Sequence, residues 1–216
     1  MWVNYRMVEN LTPLTVLYEQ MAGGRVSMSI GIDVNLKLTC SPFATHTLGA
    51  NRATITGLDL SAAAGKWIHV SCTWNAATKR IDFNAVVDQK EYPSFFLVQD
   101  DKEGIQKSDV FTGSLFNSFQ KDASSLYVGF RELRVWQTYR TKEQLALSRY
   151  SAVNPEDNVA KDGLRVYFRF SSGLKRYRNL AQEVWYGYSP ILSSAFTLES
   201  FATSQQQTVC SAVNFY

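Results

Sequence analysis

Between Gly65 and Val87 two runs of alternating side chains flank a polar turn, Ala76-Ala77-Thr78-Lys79. Few backbone arrangements suit such a pattern other than a β-hairpin. In the first run Ile68, Val70, Cys72 and Trp74 share one face, and Trp67, His69, Ser71 and Thr73 the other. In the second, Ile81, Phe83 and Ala85 oppose Asp82, Asn84 and Val86. One face is oily and the other mixed, which predicts a strand pair in the middle of a β-sandwich.

The chain around this hairpin repeats the theme. Leu14 to Gln20 reads as a strand ending at Ala22-Gly23-Gly24, and Arg25 to Asp33 alternates with Val26, Met28, Ile30 and Ile32 inward and Ser27, Ser29 and Gly31 outward. Asn35 to Cys40 adds Leu36, Leu38 and Cys40 to the core face, and Thr54 to Leu60 is a short strand. Leu126 to Gln137 restores the period, and Thr141 with Gln144 forms a capping box that opens a short helix, with Leu145 and Leu147 closing one end of the core. Strands recurring every 8–12 residues or so, with one short helix, predict an all-β, antiparallel two-sheet sandwich. A length of 216 residues, 45% hydrophobic and 13% aromatic, supports one core. Glu91 to Ser125 is less regular, either an insertion or a binding rim. Past Gln182 the pattern fades, so the sandwich is assigned to 1–182 and an extended tail or linker to 183–216.

Three stretches carry a resemblance. GKWIHVSCTWNAATKRIDF (65–83), LYVGFRELRVWQTYRTKEQL (126–145) and GLRVYFRFSSG (163–173) are similar to strands, and to one strand–helix junction, of laminin-G-like and pentraxin-like domains in the concanavalin A-like lectin and glucanase superfamily. The resemblance spans about Trp2 to Gly173 and implies a jelly roll. It also implies an earlier strand that this sequence lacks, since Trp2-Val3-Asn4-Tyr5 alternates at once. Met1 is then internal to a longer chain; a chain that simply begins on an edge strand is the alternative.

Several functions are disfavoured. The net charge of +3, from 22 basic and 19 acidic residues, gives no general case for nucleic acid. No apolar run is long enough for a membrane span. Glycoside hydrolysis needs two facing carboxylates, and no strand presents such a pair; Glu132 stands alone, and Asp82 is followed by Asn84. His69 reads as a packing residue on its strand, so no enzyme is expected.

Three candidate sites remain, each beside a plainer explanation. Arg165, Tyr167 and Arg169 alternate onto one exposed face, followed by Lys175, Arg176 and Arg178. Such a cluster suits sulfate, carboxylate or phosphate groups, or is a basic outer face paired to ordinary acids. Asp100, Asp101 and Glu103 form an acidic loop that either is solvated or holds calcium, as the resembled modules often do. Cys40 and Cys72 are either buried small hydrophobes or a disulfide between neighbouring strands, while Cys210 lies in the polar tail. The expected function is a non-catalytic recognition or adhesion module of a larger extracellular or cell-surface protein, binding a glycan or protein partner. The alternative is a structural subunit docking into a filament or coat assembly.

Overall fold

A computed structural model describes residues 1–7, 15–22, 25–33, 35–41, 52–98, 111–118, 126–153, 162–168, 177–179, 184–186 and 194–196. In chain order the elements are β1 (Trp2–Met7), β2 (Thr15–Ala22), β3 (Arg25–Ile32), β4 (Leu38–Ser41), β5 (Ala53–Ile55), β6 (Trp67–Asn75), β7 (Arg80–Val87) and β8 (Lys90–Leu97). There follow β9 (Phe111–Ser118), β10 (Leu126–Arg131), β11 (Leu133–Trp136), α1 (Lys142–Ser148), β12 (Leu164–Phe168), β13 (Tyr177–Asn179), β14 (Val184–Tyr186) and β15 (Ser194–Phe196). The described residues are therefore mostly β, with one short helix.

The first sheet has the order β10-β1-β6-β7-β8 and the second β15-β9-β2-β3-β4-β5; β11-β12 and β13-β14 are two-stranded. All pairs are antiparallel except β15 with β9. The 65–87 hairpin sits in the first sheet, where Cys72 lies opposite Phe83 and Trp74 opposite Ile81. Ile68, Val70, Ile81, Phe83 and Ala85 share one apolar cluster with Leu17, Tyr18, Ile30, Ile32, Leu38, Cys40 and Ile55 of the second sheet. Removing one such side chain from water contributes roughly 1.5–3 kcal/mol, and this shared oil holds the two sheets together.

Local chemistry places the turns. Asn75 Oδ1 accepts from the amides of Ala77 and Thr78 at 3.0 and 3.2 Å, and Lys79 takes a left-handed φ of 50° to close the hairpin. Asp33 Oδ1 accepts from the amides of Asn35 and Lys37, both at 2.9 Å, around Leu36 at φ 57°. Asp59 does the same for Ser61 and Ala62 in the turn before β6. At the helix, Thr141 Oγ1 accepts from the Gln144 amide while Gln144 Oε1 accepts from the Thr141 amide, as the capping box requires.

Several local expectations need correction. Ser29 and Gly31 are buried as Ile30 and Ile32 are, so both faces of β3 are covered rather than one. Thr54 to Leu60 is strand only over Ala53–Ile55; Leu58 and Leu60 enter the core from a loop. Leu147 is 84% exposed and closes nothing, since the helix spans seven residues and buries none. Glu91 to Ser125 contains most of β8 and all of β9, and 183–216 contains β14 and β15, the latter extending the second sheet. No described helix is long and apolar enough to cross a membrane.

Candidate functional site

A cleft of about 670 Å³ opens where the first sheet meets β11, a volume within the usual range for a bound ligand. Ser71, Cys72, Thr73 and Trp74 of β6 form one wall, and consecutive residues from Glu132 through Trp136 form the other. Its inner side is Tyr18, Met28 and Ile30 of the second sheet; its outer side includes Tyr139, Leu145, Ser148 and Arg149.

The outer layer is fastened by arginines. Arg134, whose side chain is only 6% exposed, donates to the carbonyl of Ser148 at 2.6 Å and to Glu132 Oε2 at 2.8 Å. It also donates to the Ser151 carbonyl, and its guanidinium lies 5.1 Å from the Tyr167 ring centroid. Arg149 donates to Glu91 Oε1 at 3.1 Å, and its carbonyl accepts from Trp2 Nε1 at 3.1 Å. Arg140 donates to the carbonyl of Asp162. The carboxylate of Glu91 is shared with Lys142 at 2.6 Å, and hydrogen bonds from Lys142 and Arg149 hold its pKa below the usual value. These arginines are struts between strand, helix and loop.

Glu132 lies between β10 and β11 with φ 49°, a conformation that costs a side-chain-bearing residue on the order of 1–2 kcal/mol. The kink interrupts what reads in sequence as one strand. His69 is buried with its ring 5.1 Å from that of Trp2, edge-on, and Nδ1 has no hydrogen-bond partner. Burial, followed by neighbouring positive charge including Arg149 and Arg134, holds its pKa well below the ordinary value.

The sites expected from sequence fare differently. Tyr167 is not on an exposed face: it is 3% exposed, with its hydroxyl accepting from the Val153 amide at 3.3 Å. The reason is that the stretch held by Arg134 covers that face of β12. Arg165 and Arg178 lie on β12 and β13 with side chains outside the described residues, and Arg169, Lys175 and Arg176 lie outside them altogether. Asp100, Asp101 and Glu103 also lie outside; among the described residues no group of three or more metal-ligating side chains occurs. Cys40 and Cys72 are free thiols on β4 and β6, in different sheets rather than on neighbouring strands. Burial, followed by interaction with Cys72, raises the Cys40 thiol well above its ordinary pKa. Sequence gave no sign of the cleft, because a strand's alternation does not say which of its edges is paired.

No family model matches the chain, and no curated protein or solved structure matches it.

Proposed function

We propose that this chain is a non-catalytic recognition module, a jelly roll of the laminin-G-like kind within a larger extracellular or surface protein, and that its partner seats in the cleft between β6 and β11. The observation that carries this is the cleft itself, which joins Trp2, Trp74, Trp136 and Tyr139 to polar side chains that include Gln20, Glu132, Arg134 and Arg149. Ligand sites combine these ingredients, aromatic and apolar walls with polar groups that fix orientation. Among the described residues of the cleft lining Glu132 is the one carboxylate, and it is ion-paired to Arg134. That supports binding over glycoside hydrolysis, which needs a second facing carboxylate.

The test is a paired screen on glycan and peptide arrays. Binding that disappears in Trp74→Ala and Trp136→Ala but persists in Arg169→Ala/Arg176→Ala supports the cleft. Binding that follows the arginines instead would move recognition to the basic segment. Turnover of an arrayed glycan by the parent chain would overturn the non-catalytic part.

A further inference from the structure

The edge of the first sheet farthest from β10 is β8. It pairs with β7 along its whole length, from Val87 opposite Lys90 to Arg80 opposite Leu97. Among the described residues no strand pairs with its other side. The ladder fixes which backbone groups that side presents. Just past the last rung the Val98 amide donates to the Lys79 carbonyl at 2.8 Å, so residue 98 is turned toward β7. Backbone groups alternate in direction along an antiparallel strand. Lys90, Tyr92, Ser94 and Phe96 therefore face β7, and Glu91, Pro93, Phe95 and Leu97 face outward from the sheet edge. Pro93 has no N–H, one of the devices by which an edge strand limits further pairing. Beyond it, Phe95 and Leu97 each present a complete donor and acceptor set.

The side chains at the same two positions are apolar and uncovered. Tyr92 and Phe96 pack on the core, whereas Phe95 and Leu97, on the opposite face, are 56% and 51% exposed. Phe95 is held in place. The Arg80 guanidinium lies 4.3 Å from its ring centroid and is itself fixed by Asp82 at 2.7 Å. A lone monomer usually keeps large apolar side chains away from unpaired edge backbone.

We infer that this edge pairs with the β8 edge of a second copy, antiparallel about a two-fold axis through Phe96. Such an axis sets Phe95 opposite Leu97 of the second copy, and Leu97 opposite Phe95 of the second copy. Both rungs then exchange two N–H···O=C bonds, and each aromatic ring meets an aliphatic side chain, a cross-strand pair that stabilises sheets. Centring the axis on Phe95 instead would set Leu97 against Pro93 and leave each Leu97 carbonyl without a donor. The strand is thus self-complementary in one register, which a foreign strand would match only by chance. A two-fold contact of this kind closes as a dimer and does not propagate as a fibre. Contact along half an edge strand is small against the roughly 1,200 Å² total at which standard interfaces begin, so association in the micromolar-to-millimolar range is expected. The pairing draws on no residue of the cleft.

Sedimentation equilibrium and amide exchange on the full chain, between roughly 10 µM and 1 mM, test the pairing. The average mass should rise from one copy toward two, and exchange at the Phe95 and Leu97 amides should slow by about tenfold or more over that range. Leu97→Lys and Phe95→Glu, both on the exposed face, should each weaken association by about tenfold or more. An equimolar mixture of the two variants should restore it. One rung then opposes the introduced lysine and glutamate, and the other keeps Phe95 against Leu97. A parent chain that stays monomeric, with unaltered exchange at both amides, would overturn the proposal. Association that survives both variants would lie elsewhere and would also overturn it. Phe95 and Leu97 amides protected equally at every concentration would mean that the chain covers its own edge, and would overturn the second copy. Loss in both variants without recovery on mixing would overturn the two-fold register.

Discussion

Replacing Arg134 with alanine removes the strut that ties β11 to the end of α1. Its guanidinium reaches Ser148, Glu132 and Ser151 while remaining 6% exposed. Charge-assisted bonds contribute roughly 1.5–3 kcal/mol each on a net basis, and breaking a buried pair costs about 3–5 kcal/mol. The contributions do not add. Glu132 is 20% exposed and regains some hydration, and Ser151 is exposed so water replaces one bond. A loss of about 3 kcal/mol remains, which lowers Tm by roughly 6–12 °C in a chain of this size. Arg134→Lys keeps the charge but not the fork and should lose about half as much. Urea and thermal unfolding followed by circular dichroism read both variants. A loss below about 1 kcal/mol for Arg134→Ala, the range of an exposed ion pair, would refute the buried-strut assignment. Lys66→Ala is the contrast: its partner Asp88 is 69% exposed, and no measurable change is expected.

The remaining expectations concern other parts of the fold. His69 binds its proton less readily folded than unfolded, so stability is complete above the unfolded pKa near 6.5 and falls as pH drops below it. The slope approaches about 1.4 kcal/mol per pH unit, and His69→Gln should make the pH dependence of stability between about pH 5 and 6.5 shallower, as read by urea midpoints across that range. Gly163→Ala should cost at least about 1–2 kcal/mol for its backbone, because φ is 68° and the new Cβ would meet Thr138 at 2.6 Å. Adding Thr138→Ala should recover the steric share only, as read by urea midpoint. Thr141→Ala should cost about 1 kcal/mol and raise amide exchange at Gln144 and Leu145 before the sheets respond.

Alternation and turn chemistry determined much of what is local. The face of Ile68, Val70, Cys72 and Trp74, the Asn75 turn and the Thr141 capping box each follow from residues within a few positions of one another. What alternation leaves open is whether the second face is also covered, and that depends on distant chain. Tyr167 looked exposed from its Arg165 and Arg169 neighbours, yet Arg134 and Val153 bury it. Cys40 and Cys72 could be placed on strands but not on sheets, since pairing partners are chosen by tertiary packing. The cleft belongs wholly to that second category. The sequence of β6 determines its side-chain faces; only tertiary packing brings Glu132 through Trp136 across from Ser71 through Trp74.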